Sequence, residues 1–584
     1  MNKKSYTSNS NGSSKPRKQR ALVLQGGGTL GAYEAGVLEV LCKKLSEEDK
    51  DNNRKDGLLF DIVAGSSIGA MNGAIFVSNF LNTQSWEKAA EKLQKFWTDQ
   101  LAVKHMDITE ISKTWYERLK NGQKSGVAIA ASPEAARRYY SVKNLLVNQV
   151  RNNMYYVSDD VKDDRFFDNF QLCEQRPECN CNWIVYNEWV VHSNMPLQQS
   201  IQNYASLPIS TSIKNKQPRL LVFSVDVAEG VTVTFDSYPK ADGSRKSEYK
   251  HKSNKKQKEI IIRYDGVTID QIMASGTIPE FYKYAPVPTD STGTRKNHES
   301  TIEFAKTGEN NDKVRYFTDG GVLSNTPFRE LLNAHKEYWK DVEKIDEIPD
   351  LDVYIVNVHA SKVDADRVRP EDYDGVKERH TDLKCCDRTS YYDEENMHLI
   401  ADYTKFCNQL MELVDDVISQ TSNENEKRQL KDKLSRILST KTHDHTGPSY
   451  PRKYEALAGS AININVAMRI ERGSYINDTS RKTGDLTLET INKLLKEGKC
   501  DAWFSIIEKS INDLKLDDRN KHILISELDM VWQKLRERDY EDNDSHVYHL
   551  LANFIENVKD KQKLEAYQSD KLVKPAKELL AILN

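Results

Sequence analysis

The sequence predicts an α/β fold, because two strands near its amino terminus each lead through a glycine-rich turn into a helix. The first apolar run, residues 20–25, is followed by G-G-G-T-L-G and by a segment whose leucines recur at helical spacing. The second run, residues 58–64, is followed by G-S-S-I-G and an apolar helix. Short buried strands that alternate with helices are typical of a sheet covered by helices.

The second turn has the pattern of a nucleophile elbow. Gly65 and Gly69 flank Ser67 in a G-x-S-x-G pentapeptide that lies between a strand and a helix. A side chain at either glycine would crowd the serine, and the start of the following helix favours negative charge near Ser67. Ser67 is therefore predicted to be a nucleophile. The alternative is a glycine-rich turn that has no catalytic role.

The first turn is predicted to bind an anion. Gly26, Gly27 and Gly28 lie between a strand and a helix, where backbone N–H groups have no helical partners. The six residues that end at Gly31 also spell G-x-G-x-x-G, a dinucleotide-binding pattern. That fold requires an acidic residue at the end of the second strand, about 20 residues further on. A polar loop occupies this place, so nucleotide binding is the weaker prediction.

Together the two turns resemble the patatin-like phospholipase family, in which a glycine-rich oxyanion loop precedes a serine elbow. The family's third motif, an Asp-Gly-Gly far downstream, is matched by Asp319, Gly320 and Gly321 after a strand-like V-R-Y-F-T. Two weaker stretches are also similar to the family: residues 196–227, and A-S-G-T-I-P at 274–279. These landmarks follow one another in the family's order.

The resemblance implies a three-layer α/β/α sandwich with a central, mostly parallel sheet. It also implies a lipid acyl hydrolase with a catalytic dyad, in which Ser67 is the nucleophile and Asp319 accepts its proton. Backbone N–H groups of Gly26, Gly27 and Gly28 are then expected to form the oxyanion hole. Such a site needs no cofactor and no metal. The expected substrate is a phospholipid or another acyl ester at a membrane surface.

A Ser, Asp, His triad is the alternative to the dyad. Its histidine would be His359, which follows the apolar run D-V-Y-I-V-N-V. The glycine loop before the elbow and the two glycines after Asp319 favour the dyad, and His359 is then a hydrogen-bonded residue at a strand end. Two other functions remain open: a soluble carboxylesterase or thioesterase on the same site, and a non-catalytic binding module on a hydrolase scaffold.

The chain has 584 residues, too many for one ordinary core, so several domains are expected. Residues 1–19 are rich in Ser, Asn, Lys and Arg and are predicted to be a disordered basic tail. Residues 20–364 form the predicted catalytic domain, in which the aromatic-rich segment at about 82–194 is a helical insertion, with a lid role as a hypothesis. Its last strand is placed at 352–358. Residues 365–584 have helical periodicity and form the predicted C-terminal region.

Composition limits the other function classes. Charged residues make up 29% of the chain and the mean hydropathy is -0.70, so a highly polar protein is expected. Apolar stretches stop well short of about 18 residues, which predicts no transmembrane helix. The basic first twenty residues lack an apolar segment, so no signal peptide is predicted, and a cytoplasmic protein that binds membranes peripherally is expected. The net charge of -4 gives no overall attraction to nucleic acid, and the eight cysteines lack the paired spacing of a zinc site.

Overall fold

The structure is a computed structural model of the whole chain. It describes residues 17–51, 58–102, 156–157, 192–193, 195–250, 259–279, 282, 284–289, 314–345, 348–360, 373–387, 389–439, 464–473, 486, 488–514, 516–536, 545–560 and 566–583. Most of the predicted insertion at 82–194 lies outside these residues, as do residues 1–16 of the predicted tail. The described part of the insertion begins with a helix and a short π-helical segment.

Twelve strands are described, and most belong to one sheet. In chain order they are β1 Gln19–Leu24, β2 Ile62–Ser66, β3 Tyr156–Val157, β4 His192–Ser193, β5 Arg219–Asp226, β6 Val231–Asp236, β7 Arg245–Lys250, β8 Glu259–Tyr264, β9 Ala285–Pro288, β10 Val314–Asp319, β11 Leu351–Asn357 and β12 Ile464–Glu471. The main sheet has the order β12-β11-β1-β2-β5-β10-β9, with β6 also paired to β5.

Thirteen α-helices are described, and the longest lie toward the carboxyl terminus. They are α1 Gly31–Asp51, α2 Ile68–Thr83, α3 Trp86–Lys95, α4 Met195–Tyr204, α5 Ile269–Ser275, α6 Phe328–Glu337, α7 Tyr373–Cys385, α8 Thr389–Gln420, α9 Glu424–Ser439, α10 Leu488–Asp513, α11 Asp518–Arg536, α12 Ser545–Asp560 and α13 Ala566–Leu583. Among the described helices, none is both long enough and apolar enough to cross a membrane.

The chain forms two compact units. One contains Met1–Ala21, Phe328–Val353 and Thr389–Ala467, and therefore holds α6, α8 and α9. The other contains Leu22–Pro327, Tyr354–Arg388 and Met468–Asn584. This second unit holds both glycine-rich turns, the Asp-Gly-Gly motif and the last four helices.

The prediction of an α/β fold with a mixed, mostly parallel sheet is confirmed, with one correction at its edge. The strand Leu351–Asn357 was expected to be the last strand, but β12 follows it and forms the end of the sheet. The error arose because β12 lies within the 365–584 region, where helical periodicity dominates. The other described elements of that region, α7 to α13, are helical, in agreement with the prediction.

The register around β5 brings two distant strand ends together. β2 runs parallel to β5 and stops where Ser66 pairs with Phe223. β10 runs antiparallel along the other side of β5 and stops where Asp319 pairs with Ser224. The two strands therefore approach each other along opposite sides of β5 and end one residue apart in register. The residue that follows Ser66 is therefore brought close to Asp319 across β5.

Candidate active site

Ser67 lies in the sharp turn between β2 and α2. Its backbone has φ 54° and ψ -126°, a left-handed conformation that a residue with a side chain rarely adopts. The turn is tight enough that a Cβ on Gly65 would collide with the carbonyl of Gly69. A Cβ on Gly69 would in turn collide with the carbonyl of Leu24, so the structure explains both glycines of the G-x-S-x-G pattern. A strained backbone at a single polar residue is characteristic of functional sites.

The hydroxyl of Ser67 contacts the carboxylate of Asp319 directly. Ser67 Oγ donates to Asp319 Oδ2 at 2.6 Å, although the two residues are 252 positions apart. Asp319 Oδ1 accepts the backbone N–H of Gly321 at 2.7 Å, which fixes the carboxylate plane. Both side chains are buried. Gly320 begins the short 3₁₀ helix that turns the chain after Asp319.

Burial raises the pKa of Asp319 from 3.8 to about 6, because a carboxylate loses hydration in this environment. The hydrogen bonds from Ser67 and from the Gly321 N–H act in the opposite direction and lower the pKa. The group is therefore ionised at neutral pH and yet more basic than a carboxylate in water. Such a carboxylate can take a proton from the serine that it contacts.

The glycine loop lies directly beside Ser67. A Cβ on Gly26 would lie 2.8 Å from the Cβ of Ser67. The N–H of Gly26 donates to the carbonyl of Asn325 at 3.1 Å, so it is already occupied. Gly27 and Gly28 precede the turn into α1, and their N–H groups have no acceptor among the residues that the structure describes.

Gly31, the last glycine of the loop, is the first residue of α1. Its carbonyl accepts Nδ2 of Asn72 at 2.9 Å, and the same amide nitrogen donates to the fully buried Glu34 at 2.7 Å. Burial raises the pKa of Glu34 well above its ordinary value. Asn72 lies on α2, just after the elbow, so these contacts connect the helix that follows the glycine loop to the helix that follows Ser67. Neither side chain was predicted from the sequence.

Two buried amide side chains hold the glycine loop in place, and both were missed by the sequence analysis. Asn325 Nδ2 donates to the carbonyl of Gly26 at 3.0 Å and to that of Cys385 at 2.6 Å. Gln25 Nε2 donates to Thr326 Oγ1 at 2.8 Å, while its Oε1 accepts the backbone N–H of His359 at 3.0 Å. Gln25 directly precedes the three glycines, and Asn325 follows the Asp-Gly-Gly motif by four residues, so their proximity to the motifs was the available signal.

His359 is buried at the end of β11 but is not the partner of Ser67. Its Nδ1 lies 3.1 Å from Asp382 Oδ1, and the Ser67 hydroxyl is bonded to Asp319 instead. The ring lies behind the glycine loop, where Nε2 would be 3.4 Å from a Cβ on Gly27. This geometry fits the prediction that His359 is a hydrogen-bonded residue at a strand end.

Metal binding finds no support within the described part of the chain. Among those residues there is no group of three or more His, Cys, Asp or Glu side chains that could hold an ion. Cys173, Cys179 and Cys181, which are close together in the sequence, lie outside the described residues.

Comparison with known families identifies the family of this chain. A family model described as patatin-like phospholipase matches residues 22–332, which is more than half of the chain. The chain belongs to the patatin-like phospholipase family. Membership indicates a lipid acyl hydrolase in general terms, and the matched region contains the glycine loop, the elbow and the Asp-Gly-Gly motif of this patatin-like protein.

Other comparisons add no functional argument. No curated protein matches the chain. A crystal structure of VipD from Legionella pneumophila aligns with 97% of this chain and 85% of its own, at 11% identity and a TM-score of 0.25. A structure of full-length SpcU in complex with full-length ExoU, from the type III secretion system of Pseudomonas aeruginosa, aligns with 97% of this chain and 91% of its own, at 11% identity and a TM-score of 0.17. Similarity at this level is too low to support conclusions about this patatin-like chain.

Proposed function

We propose that this protein hydrolyses carboxylic esters of lipids with a Ser67–Asp319 dyad. The observation that carries the proposal is the 2.6 Å hydrogen bond from Ser67 Oγ to Asp319 Oδ2 in a buried site. A nucleophile and its base must lie within hydrogen-bond reach, and these two groups do so without a histidine between them. Family membership supports the same chemistry.

In the first half of the reaction, Ser67 Oγ attacks the carbonyl carbon of the ester while its proton passes to Asp319 Oδ2. The tetrahedral intermediate then collapses, the bond to the leaving alkoxide breaks, and Asp319 returns the proton to that oxygen. In the second half, water attacks the acyl-serine and gives its proton to Asp319, which returns it to Ser67 Oγ as the fatty acid leaves. The aspartate therefore acts as base and acid in turn.

The negative charge on the tetrahedral oxygen requires donors that are in place before attack. The N–H groups of Gly27 and Gly28 are proposed for this role, since they have no acceptor among the described residues and lie on the loop beside Ser67. Gly26 was also expected to be a donor, but its N–H is bonded to the Asn325 carbonyl. Gly26 then contributes close approach to Ser67 rather than a hydrogen bond. Loss of one oxyanion donor typically costs about 3 kcal/mol of transition-state stabilisation.

Two exposed aliphatic residues close to Asp319 in the sequence support a lipid substrate. Val322 and Leu323 follow the Asp-Gly-Gly motif, and these residues are 51% and 52% exposed. Exposed aliphatic side chains next to a catalytic residue can contact an acyl chain. We propose that the substrate is an acyl lipid reached from a membrane surface, with the protein bound peripherally.

A fluorophosphonate probe tests the nucleophile, and paired substrates test the lipid assignment. Wild-type protein is expected to be labelled at Ser67 and to release fatty acid from phosphatidylcholine vesicles, and Ser67→Ala is expected to do neither. Hydrolysis of soluble p-nitrophenyl butyrate without any release from vesicles would instead identify a soluble esterase. Absence of labelling in folded wild-type protein would favour a non-catalytic binding module and refute the proposal.

A further inference from the structure

The segment Ser275–Thr277, at the end of α5, accepts hydrogen bonds from the backbone N–H groups of both dyad residues. The N–H of Ser67 donates to Ser275 Oγ at 2.9 Å. The N–H of Asp319 donates to the carbonyl of Thr277 at 2.9 Å. One short segment therefore holds the elbow and the end of β10 at the same time.

The hydroxyl of Ser275 is oriented by a second bond. It donates its proton to the carbonyl of Phe223 on β5, so a lone pair is free to accept the N–H of Ser67. The Ser275 side chain has no exposed surface, which keeps bulk water from taking its place. The adjacent strand residue Ser224 adds a parallel connection, because its Oγ donates to the carbonyl of Thr318 at 2.8 Å.

The N–H of Ser67 depends on this acceptor because Ser67 lies between two regular elements. It follows the last paired residue of β2 and precedes the first residue of α2, and its φ is 54°. A buried N–H without an acceptor costs about 1–3 kcal/mol. A strained residue also keeps its conformation only when surrounding contacts over-determine it. Among the described residues, Ser275 supplies that contact from outside the turn.

We propose that Ser275 is a positioning residue, whose hydroxyl holds the backbone of Ser67 in the conformation that directs Oγ to Asp319. The proposal rests on the proposed hydrolytic function. If the hydroxyl is removed, the N–H of Ser67 loses its acceptor, and the backbone of Ser67 is expected to rotate toward a less strained conformation. This rotation would increase the distance between Ser67 Oγ and Asp319 Oδ2. Since Ser275 lies behind the elbow and does not face a substrate, the loss is expected in kcat rather than in KM.

Ser78, on the helix α2 that follows the elbow, provides a matched control. Ser78 is also buried, and its Oγ accepts the N–H of Ser206 at 2.7 Å and donates to the carbonyl of Ser206 at 3.3 Å. Ser78→Ala thus removes the same kind of buried hydroxyl with the same two backbone contacts. Ser78 lies about 16 Å along the helix axis from Ser67. It has no contact with the dyad.

The test compares Ser275→Ala, Ser275→Thr and Ser78→Ala in the full-length protein. Misplacement of a reacting group by about 1 Å costs about 100-fold in rate, so kcat of Ser275→Ala is expected to fall about 10- to 100-fold with KM within about twofold. Threonine restores a hydroxyl and is expected to recover most of the rate. Ser78→Ala is expected to lose comparable thermal stability but to keep its kcat.

The acidic limb of the pH profile gives an independent readout. Since the Ser67 hydroxyl lowers the pKa of Asp319, loss of that contact in Ser275→Ala is expected to move the limb to higher pH, while Ser78→Ala leaves it unchanged. A kcat within twofold of wild type, or an unshifted limb, would overturn the positioning role and leave the dyad intact. If wild-type protein neither hydrolyses esters nor reacts with the fluorophosphonate, the proposed function and the positioning role both fail.

Discussion

The carboxylate of Asp319 accepts the hydroxyl of Ser67 at 2.6 Å, while His359, the histidine of the alternative triad, is bonded to Asp382. Replacement of either dyad residue should therefore abolish hydrolysis, whereas replacement of the histidine should not. We expect Ser67→Ala and Asp319→Ala to lose activity on a p-nitrophenyl acyl ester by at least about 10³-fold. Activity of His359→Asn is expected to stay within about fivefold of wild type.

Circular dichroism and thermal unfolding serve as controls for folding in these three variants. The histidine variant decides between the two mechanisms, because a triad histidine carries the proton in every turnover. A folded but inactive His359→Asn would show that the dyad assignment is wrong.

The parts of this site that were predicted from the sequence are those encoded in short, contiguous motifs. The elbow around Ser67 requires glycines at fixed positions, and the Asp-Gly-Gly motif requires a turn directly after Asp319, so both leave a local pattern. Ser275 lies in the A-S-G-T-I-P stretch that resembles the family, but that stretch does not reveal the contact with Ser67, because the two residues are 208 positions apart. The amides of Gln25 and Asn325 lie next to the motifs, yet their partners Thr326 and Gly26 are 301 and 299 positions away.

The edge of the sheet shows the same limit at the level of the fold. The residues of the strand Ile464–Glu471 are neither all buried nor alternately buried and exposed. A strand of this kind lacks the continuous or alternating apolar pattern by which strands are recognised in a sequence. Its position is fixed instead by tertiary contacts, such as the buried pair of Arg472 and Glu497 on α10, at 3.1 Å. Contacts of this kind cannot be read from one segment alone.

The pKa of Asp319 predicts the acidic limit of activity. Because the carboxylate must be unprotonated to accept the serine proton, and its pKa is raised to about 6, kcat/KM should fall about tenfold per pH unit below about pH 6. Initial rates on a neutral ester between pH 4.5 and 8.5 measure this limb. A midpoint near pH 4, the ordinary value for an aspartate, would contradict the effect of burial.

The same pKa predicts that Asp319 destabilises the folded protein at neutral pH. The folded state keeps the proton up to about pH 6, whereas an unfolded aspartate releases it near 3.8, so the stability that this group contributes is complete below 3.8 and is lost as the pH rises through 6. Asp319→Asn keeps the shape without the charge. We expect it to be more stable than wild type at pH 8, by up to about 3 kcal/mol, and equally stable at pH 3.5.

Urea denaturation at the two pH values measures this difference. Ser67→Ala provides a comparison, since it removes a hydrogen bond to the carboxylate without removing its charge. If Asp319→Asn is no more stable than wild type at pH 8, the carboxylate is better solvated than the structure shows.

The close contact between Gly26 and Ser67 predicts that the glycine loop does not tolerate a methyl group. In Gly26→Ala the new Cβ would lie 2.8 Å from that of Ser67 and would also collide with the Asn325 side chain. We expect fluorophosphonate labelling of Ser67 to slow by at least about 100-fold, because the nucleophile must move. Gly230→Ala is the control: its φ of 61° costs stability, but no atom lies within 4 Å of the new Cβ. Normal labelling of folded Gly26→Ala would contradict the close approach.

The last prediction concerns the carboxyl-terminal helices, whose function the sequence did not reveal. α10 lies so close to α1 that a Cβ on Gly498 would collide with the carbonyl of Tyr33. The hydroxyl of Tyr33 also donates to Asp501 Oδ2 at 2.9 Å, within the same compact unit. Since α1 begins at Gly31, the last glycine of the glycine loop, α10 packs against the helix that follows this loop.

Gly498→Ala should therefore lower both stability and activity. Overpacking of this kind typically costs about 1–3 kcal/mol, and displacement of α1 should slow labelling of Ser67. Asn492→Ala, an exposed position on the same helix, is the control and is expected to change neither quantity. Urea unfolding monitored by tryptophan fluorescence, together with the labelling rate, measures both effects. If Gly498→Ala unfolds in a separate early transition while labelling stays normal, the carboxyl-terminal helices unfold independently of the sheet that carries Ser67. A single, earlier transition with slower labelling would show instead that these helices and the sheet unfold together.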